Sequence, residues 1–460
     1  MLQFTKAAIG ENHAIYMVVI KFGCLVHILS SFVKIIVLGF VFYNLFLLFY
    51  SIGIRIAASW NPKAKKWVEG RRFLFDQISK NYHKGAGKIV WMHCASLGEF
   101  EQGRPVLDAL KSTHPTLTIV VSFFSPSGLE VVKKDALPDY VFYLPMDSIS
   151  NANKFIDIIQ PNLVLWVKYE YWYHYLDQLK KRGIPVLLIS GVFRKSQPFF
   201  KWYGQIWRKM LNSISHFFLQ NESSQHLLNS TGNQHASSVS GDTRFDRVIA
   251  VTKKEIDDPI IQKFILNKPV IVAGSTWEDD EIILAAYLDE TNHREKLLLV
   301  PHELDEAHLS FLKKIFKKSV CYTALLSNPV LVNGLDEYNC LIVDTVGLLS
   351  RLYQFGYVNY VGGGFTADGV HNTLEAAIWG RPVIFGENYQ KYEEAVGLMD
   401  LYGADSISDV IELKDLMDQF QVDKSMYEST GTAAKEFVLK NAGATNHILE
   451  YIQVNRLLTN

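Results

Sequence analysis

The sequence contains few cysteines, no surplus of charge and no low-complexity tract. Its four cysteines are scattered and form no CxxC pair, which argues against a disulfide or zinc framework and predicts buried thiols in a reducing compartment. The formal net charge is −1, so the basic surplus typical of nucleic-acid-binding proteins is missing and we expect no nucleic-acid partner. Hydrophobic residues make up 48% of the 460 residues, which is typical of a folded protein with two domains.

One long run near the N-terminus carries no charge. It reads IIVLGFVFYNLFLLFYSIGI, from Ile35 to Ile54, and matches the roughly 20 residues with which a helix crosses a bilayer. The basic residues that follow it are Arg55, Lys63, Lys65, Lys66, Arg71 and Arg72. We therefore predict a transmembrane helix at residues 35–56, with everything after it on the cytoplasmic side. A buried core helix is the alternative, but apolarity on all sides fits lipid better.

The first 34 residues are also apolar but less uniform. The segment AIYMVVIKFGCLVHILSSFV contains Lys21 and His27. Three interpretations of residues 1–34 remain open: a second membrane span, an interfacial helix, or sequence upstream of a start at Met17.

After residue 85, short β-rich runs alternate with helix-length stretches. The first set is KIVWMHCA, TLTIVVSFF, YVFYLP, NLVLWV, PVLLIS and HFFLQN, and the second is KPVIVAGS, KLLLVPH, CLIVDT, YVNYVGG and RPVIFGE. Nearly continuous apolar strands of this kind predict parallel sheets covered on both faces. The sequence therefore predicts an α/β protein with two Rossmann-like domains, residues 57–250 and 260–460, joined by the charged linker VTKKEIDDP at 251–259. We expect the two domains to face a cleft, with ligands beyond the carboxyl ends of the strands.

The clearest chemical signal lies in YVNYVGGGFTADGVHNTLEAAIWGRPVIFG. A strand ends at Gly362–Gly364, and a helix is predicted to open near Asn372. Glycines allow backbone amides to approach an anion, and a helix start adds free N–H groups, so this pattern predicts a phosphate site. It matches neither the P-loop nor the dinucleotide fingerprint. A capping box between Asn372 and Glu375 is the structural alternative, although Glu375 is also placed to accept ribose hydroxyls.

Other strand ends in the second domain carry similar signals. They are Ser275 and Thr276 in GSTWEDDE, His302 and Glu303 in VPHELDEAH, and Asp344, Thr345 and Gly347 in VDTVGLLSRLY. Several such loops at successive strand ends favour a nucleotide site.

In the first domain, Ser96 and Glu99 form the S-x-x-E spacing of a capping box. Glu99 also follows the first strand, where helix amides would keep it ionised as a general base. Glu170 follows another strand, and Arg244 could pair with a carboxylate or phosphate. His93 is interpreted as a core residue.

These segments together resemble a known family. HCASLGEFEQGRPV, YEYW, SGDTRFDRV, GSTWEDDE, DTVGLLSRLY and GGGFTADGVHNTLEAA occur in the order found in 3-deoxy-D-manno-octulosonic acid (Kdo) transferases of lipopolysaccharide biosynthesis. The resemblance runs from about residue 40 to the end. It implies a GT-B glycosyltransferase fold, CMP-Kdo as donor, a lipid A precursor as acceptor, and a single-pass anchor in the bacterial inner membrane.

The resemblance also implies roles for individual residues. Glu99 would be the general base, with Glu170, Ser96 and Gly98 near the acceptor or the transition state. The implied donor-binding residues are Arg244, Ser275, Thr276, His302, Thr345, Val346, Gly347, Gly363, Asn372, Thr373 and Glu375. The sequence departs from the family at Lys168, where a glutamate is usual, and at His302, beside which an arginine is missing.

The resemblance implies an inverting transfer that needs no metal and no cofactor. The sequence has no metal-binding D-x-D motif in a suitable loop, which agrees with this expectation. Rival interpretations are a transferase of a UDP-sugar, a sugar-nucleotide 2-epimerase, and a membrane-tethered binding protein without turnover. The epimerase would have no need of a membrane helix.

Overall fold

The computed structural model describes residues 38–459 except positions 233, 254, 255 and 267. The apolar segment 1–34, with Cys24, and positions 35–37 of the predicted transmembrane helix lie outside the described residues. The chain forms two compact units: the first comprises the chain up to Gly241 together with Thr445–Asn460, and the second comprises Asp242–Ala444.

Helix α1, Leu38–Ala57, is long and apolar enough to cross a membrane, judged by length and composition alone. One face is exposed, with Phe42, Phe46 and Phe49 each more than 60% accessible. The opposite face packs on the first unit through buried Tyr43 and Leu47. The helix predicted at residues 35–56 is therefore found, with one face covered by protein.

The first unit is built on a parallel sheet. Its strands are β1 (Ile89–Cys94), β2 (Thr118–Phe123), β3 (Tyr140–Tyr143), β4 (Leu163–Val167), β5 (Val186–Gly191), β6 (His216–Leu219) and β7 (Ser237–Val239). Its further helices are α2 (Pro62–Gly70), α3 (Leu74–Asn81), α4 (Leu97–Thr113), α5 (Pro126–Val132), α6 (Ile149–Ile159), α7 (Tyr173–Lys181), α8 (Gln205–Leu211) and α9 (Glu222–Asn229), and most of α21 (Ala444–Val454) also belongs here. The strand order is β3-β2-β1-β4-β5-β6-β7, and β1, β2, β4 and β5 are buried at every position because helices cover both faces.

The second unit repeats this plan. Its strands are β8 (Val270–Thr276), β9 (Lys296–Pro301), β10 (Ser319–Cys321), β11 (Cys340–Ile342), β12 (Val358–Val361), β13 (Val383–Gly386) and β14 (Ala404–Ile407). Its helices are α10 (Thr243–Thr252), α11 (Pro259–Ile265), α12 (Glu278–Glu290), α13 (Glu306–Ile315), α14 (Tyr322–Ser327), α15 (Pro329–Val332), α16 (Leu349–Leu352), α17 (Leu374–Ala377), α18 (Glu393–Asp400), α19 (Val410–Val422) and α20 (Lys424–Lys440). The sheet is parallel in the order β10-β11-β9-β8-β12-β13-β14, with hydrophobic clusters on both faces.

The two parallel-sheet α/β domains predicted from the sequence are confirmed. The division between them lies at Gly241–Asp242, upstream of the predicted linker at 251–259. Helix α10 extends over the first two residues of that linker and contributes Phe245 and Val248 to the core of the second unit. At the other end, Ile448 and Ile452 of α21 pack in the core of the first unit.

Candidate functional site

In the first unit, β1 lies between β2 and β4, so the chain leaves the middle of the sheet in two opposite directions. Such a switch point opens a crevice at the carboxyl ends of the two central strands, where ligands of this fold type bind. Glu99 follows β1 in the first turn of α4, and Glu170 follows β4. The topology therefore brings the two predicted carboxylates to one crevice.

Glu99 is held by the chain that enters α4. Its Oε2 accepts a hydrogen bond from the amide of Ala95, one residue before the N-cap Ser96. Ser96 has extended backbone dihedrals, but its hydroxyl makes no capping bond. The predicted capping box is therefore only half formed, because the carboxylate bonds to a backbone amide while the hydroxyl does not. Gly98, beside Glu99, is exposed.

Burial dominates the acidity of Glu99, which is 8% exposed. Desolvation raises the pKa of its carboxyl to about 7, against the opposing effect of the Ala95 amide. The negative charge of Glu170 raises this pKa further, and the positive charge of Lys168 lowers it. The expectation that helix amides keep Glu99 fully ionised is therefore corrected: near neutral pH this carboxyl is poised between its two protonation states.

Glu170 ends a chain of buried hydrogen-bonding groups. Trp91 donates from Nε1 to Ser122 Oγ at 2.8 Å, and Ser122 Oγ lies 3.0 Å from Nδ1 of His93. His93 Nε2 then lies 3.4 Å from Glu170 Oε2, to which Trp172 also donates at 3.2 Å. His93 is thus a satisfied core residue as predicted, but it also orients Glu170. His93 lies one residue before the carboxyl end of β1, and this position beside the crevice could have indicated that it orients Glu170.

Lys168, at which the sequence departs from the family pattern, lies in the same crevice. It is buried, and its φ of 53° places it in the left-handed region, which is uncommon for a residue other than glycine. Its positive charge helps Glu99 to ionise. A lysine here therefore changes the electrostatics of the predicted base as well as the surface near Glu170.

The second unit has its own switch point, between β8 and β12. Ser275 and Thr276 end β8, and Gly362 follows β12. A Cβ atom on Gly362 would lie 2.4 Å from the carbonyl oxygen of Ser275, so the two strand ends approach as closely as only glycine permits. The structure therefore brings the predicted residues Ser275, Thr276 and Gly363 together.

Asp280, which the sequence analysis missed, organises the glycine loop. This fully buried carboxylate accepts hydrogen bonds from the amides of Gly363 and Trp277, both at 2.9 Å, and from the Tyr360 hydroxyl at 2.7 Å. The Gly363 amide is thus engaged by the protein itself, which corrects the expectation that it faces a phosphate. The signal for Asp280 was its spacing, since an acid three residues after the N-cap often bonds back to backbone amides.

Three nearly parallel aromatic rings lie at this edge. Trp277 and His302 stack with centroids 4.5 Å apart, and His302 and His371 stack at 4.6 Å. Trp277 Nε1 also donates to His371 Nε2 at 2.9 Å. Burial, and secondly the charge of His302, lowers the pKa of His371, so this ring is neutral at physiological pH. His302 was predicted and His371 was missed, although it stands inside the glycine-rich motif.

Asn372, Thr373 and Glu375 surround the start of α17, which begins at Leu374. Asn372 Oδ1 accepts from the Leu374 amide at 3.3 Å, and its Nδ2 donates to Glu375 Oε1 at 2.9 Å. The predicted Asn372–Glu375 pair therefore exists as a side-chain hydrogen bond. Thr373 is fully buried, and its hydroxyl has no hydrogen-bond partner among the described residues.

The loop after β11 carries Thr345, Val346 and Gly347. The Thr345 hydroxyl is buried and has no partner within the described part of the chain. Val346 is 91% exposed, and Gly347 has a φ of 92°. An exposed valine flanked by an unpaired hydroxyl and a left-handed glycine is suited to contact a ligand by its backbone.

Arg244 lies in a different setting from the one predicted. Its guanidinium bonds to Asp242 at 2.8 Å and to both oxygens of Glu394 at 2.6 and 3.3 Å. These two carboxylates raise the pKa of Arg244 despite its burial. Asp242 and Glu394 thus already engage this guanidinium, and a donor carboxylate or phosphate would have to share it.

Among the described residues, no group of three or more His, Cys, Asp or Glu side chains is placed to hold a metal ion. Cys94, Cys321 and Cys340 are free, buried thiols. Burial raises the pKa of Cys94 well above its usual value, which suits a packing residue better than a nucleophile.

Comparison with known proteins identifies relatives of this chain. Residues 68–247 match the family model described as 3-deoxy-D-manno-octulosonic-acid transferase (kdotransferase). The chain is a relative of the Kdo transferases. A 3-deoxy-D-manno-octulosonic acid transferase of Haemophilus influenzae is 26% identical over 79% of this chain and 86% of its own length.

Other similarities agree with that relationship. A bifunctional glycosyltransferase/methyltransferase of Fusobacterium nucleatum is 29% identical over 66% of this chain, and the match spans about half, 48%, of that protein. Among solved structures, UDP-GlcNAc 2-epimerase from Neisseria meningitidis, bound to UDP-GlcNAc, matches 80% of this chain and 99% of its own, with a TM-score of 0.58 and 17% identity. At that identity the likeness concerns the fold alone. The family model of the Kdo transferases covers Glu99, Glu170 and Arg244.

Proposed function

We propose that this chain is a membrane-anchored, inverting glycosyltransferase that transfers Kdo from CMP-Kdo to a lipid A precursor, lipid IVA, in lipopolysaccharide biosynthesis. The observation that carries the proposal is Glu99, a buried carboxyl with a pKa of about 7 at the switch point of the first unit. A general base works best when its pKa lies near the working pH.

In the proposed reaction, Glu99 takes the proton from an acceptor hydroxyl as that oxygen bonds to the anomeric carbon of Kdo. The bond from this carbon to the phosphate oxygen breaks at the same time, and CMP departs with the electron pair. Attack on the face opposite the leaving group inverts the anomeric configuration. Glu170, oriented by His93, is proposed to lie beside the acceptor together with Ser96 and Gly98, and its charge favours proton uptake by Glu99.

The second unit is the proposed donor site. The ring surface of Trp277, His302 and His371 is flat enough for a cytosine base to stack on it. The buried hydroxyls of Thr345 and Thr373 are left without a partner in the described chain, and such groups are costly unless a ligand oxygen or water satisfies them. These donors support binding of a phosphate without a metal ion.

The remaining predicted donor residues take supporting parts in this proposal. Glu375 would accept ribose hydroxyls while Asn372 holds its other side, and Ser275, Thr276, Val346 and Gly347 would line the phosphate. Arg244 would meet the Kdo carboxylate only by sharing its guanidinium with Asp242 and Glu394.

Attachment to the cytoplasmic face of the inner membrane is proposed to occur through α1. The exposed Phe42, Phe46 and Phe49 support contact with lipid. Two contacts join α1 to the rest of the first unit: the Tyr43 hydroxyl donates to Asp147 at 2.6 Å, and Asn44 Oδ1 lies 3.0 Å from His174 Nε2. A helix that crosses lipid must give up these two contacts. A cysteine at Phe46 should then be shielded from a water-soluble maleimide in vesicles, and labelling would contradict the crossing.

The decisive experiment follows transfer directly. Detergent-solubilised protein is incubated with CMP-Kdo and tetraacylated lipid A precursor, and the molecular mass of the lipid is measured by mass spectrometry. We expect Glu99→Gln to lower the rate by about 10²–10⁴-fold, the usual contribution of a general base. Glu101→Gln, two residues along the same helix, is the matched control and should stay within a few-fold of the unaltered protein. An active Glu99→Gln would refute the base assignment, and no transfer by the unaltered protein would refute the activity.

A further inference from the structure

A cavity of about 870 Å³ opens in the first unit where α1 ends. Ser51 and Arg55 of α1 and Ala58 just after it form one wall. The rest comes from α2, α3 and α6 and from the segments that precede α3 and α6. The predicted membrane helix therefore leads directly into this cavity, which none of the proposed catalytic or donor residues lines.

The cavity is rich in positive charge. Five cationic side chains line it, Arg55, Lys65, Arg71, Arg72 and Lys154, against two carboxylates, Glu69 and Asp76. Within the described part of the chain, none of the five cations forms an ion pair with a carboxylate of the protein. An excess of unneutralised cations around an open cavity favours an anionic ligand.

Arg71 is the fixed centre of this charge. Its guanidinium donates to the carbonyl oxygens of Phe124 at 2.8 Å and Leu144 at 3.1 Å and lies 3.9 Å from the ring of Trp67. These partners are neutral, so they orient the cation without cancelling its charge. Burial lowers the pKa of Arg71 to about 10, which still leaves it protonated at neutral pH.

Exposed aromatic side chains occur in this part of the chain. Phe73 lines it, is 71% exposed and has a φ of 54°, a left-handed conformation that is strained for a bulky residue. Trp60, between α1 and α2, is equally exposed. Exposed aromatic rings beside basic side chains are typical of the zone where lipid headgroups meet water.

We propose that this cavity binds the phosphate of an anionic lipid headgroup at the membrane surface. The inference rests on the membrane attachment of α1 proposed above. Basic side chains next to a membrane helix attract anionic headgroups, and a cavity limits the ligand to one headgroup where a flat surface would not. Both the phosphorylated acceptor and an anionic phospholipid carry this chemistry.

The test measures binding by the full detergent-solubilised chain with isothermal titration calorimetry. The probes are dihexanoyl phosphatidylglycerol, dihexanoyl phosphatidylcholine, the lipid A precursor with and without its phosphates, and inorganic phosphate. The cavity variant is Lys65→Gln/Arg72→Gln. The matched control is Lys63→Gln/Lys66→Gln, which removes the same charge from the same segment outside the cavity.

We expect the cavity variant to bind the anionic lipids about 10- to 30-fold more weakly, whereas the control binds them like the unaltered protein. Selective loss for the lipid A precursor assigns the phosphate to the acceptor, and equal loss for phosphatidylglycerol assigns it to bulk lipid. The proposal is overturned if both double variants lose affinity equally, if phosphate-free lipids bind as well, or if inorganic phosphate binds as tightly as the lipids.

The same samples are assayed for Kdo transfer, which separates the two proposals. Lipid binding that depends on the cavity, without transfer by the unaltered protein, would overturn the proposed activity alone. Transfer together with unchanged lipid binding by the cavity variant would overturn the cavity assignment alone.

Discussion

In both units the first strand lies between the second strand and a later one, but the two switch points carry different side chains. In the first unit, the crevice between β1 and β4 holds two carboxylates, Glu99 and Glu170, the first of them buried. In the second, the crevice between β8 and β12 holds a glycine loop, stacked rings and buried hydroxyls. The same kind of topology therefore carries the proposed acid–base site in the first unit and the proposed donor site in the second.

The difference lies in what each buried carboxylate does. Asp280 accepts three hydrogen bonds from its own unit, and these engage both of its carboxylate oxygens. Glu99 accepts hydrogen bonds from the backbone amides of Ala95 and Ser96, and its pKa is about 7. Asp280 therefore holds the glycine loop in place, whereas the pKa of Glu99 suits its proposed role of taking a proton.

The largest expected effect is a loss of stability that differs between two glycines of the second unit. Gly363→Ala should destabilise the protein by about 3 kcal/mol, because φ is 91° and the new Cβ would lie 2.7 Å from the Gly369 carbonyl oxygen. Gly347→Ala meets the same dihedral strain with open space around it and should lose about 1 kcal/mol. Chemical denaturation measures both, and equal losses would show that the close approach is unimportant.

Asp280→Asn tests whether the hydrogen bonds of the Asp280 carboxylate position the proposed donor site. An amide oxygen cannot replace both carboxylate oxygens, so we expect the glycine loop to loosen and CMP-Kdo to bind about 10-fold more weakly. Calorimetry on the non-transferring Glu99→Gln background measures this without turnover. Asp279→Asn, on the exposed neighbour, is the control, and a matching loss there would point to charge alone.

The pH dependence of transfer should come from the first unit. Because Glu99 must be ionised to accept a proton, kcat/KM should fall about 10-fold per pH unit below a midpoint near its pKa of about 7. Binding of CMP-Kdo to Glu99→Gln should change little over the same range. A rate that stays level down to pH 5 would exclude Glu99 as the base.

The last expected effect is on the pH dependence of stability. The pKa of Glu99 is raised in the folded protein, so the native state holds a proton that the unfolded chain releases between the ordinary carboxyl pKa and about 7. Its contribution is therefore favourable at low pH and is lost as the pH rises through that window. Glu99→Gln removes this loss, so at pH 8 it should be more stable than the unaltered protein, with no gain at pH 4. Melting temperatures at both pH values check the sign.

Sequence patterns located most of the fold because the central strands are continuous apolar runs. The strands that the sequence analysis missed, β7, β10 and β14, lie at or near sheet edges, are three or four residues long and include partly exposed positions. Short edge strands carry little periodic signal, since only their neighbours in the sheet define them.

The site was predictable where it follows strand ends and was missed where it depends on contacts across the sheet. Glu99 and Gly363 were found from local spacing. Asp280 and His371 were missed because their partners, Gly363 and Trp277, are 83 and 94 positions away in the chain. The raised pKa of Glu99 was also missed, because burial is not visible in an S-x-x-E pattern.

The return of the chain to the first unit makes the second unit an inserted domain. Residues 445–460 contribute Ile448, Ile452 and Leu458 to the first core, all less than 8% exposed. Burying three such side chains is worth roughly 5 kcal/mol, so a fragment that stops at Gly241 would lack a large part of its own stability. A protein shortened from its C-terminus should thus fail first in the half that holds the proposed base, far from the cut in sequence.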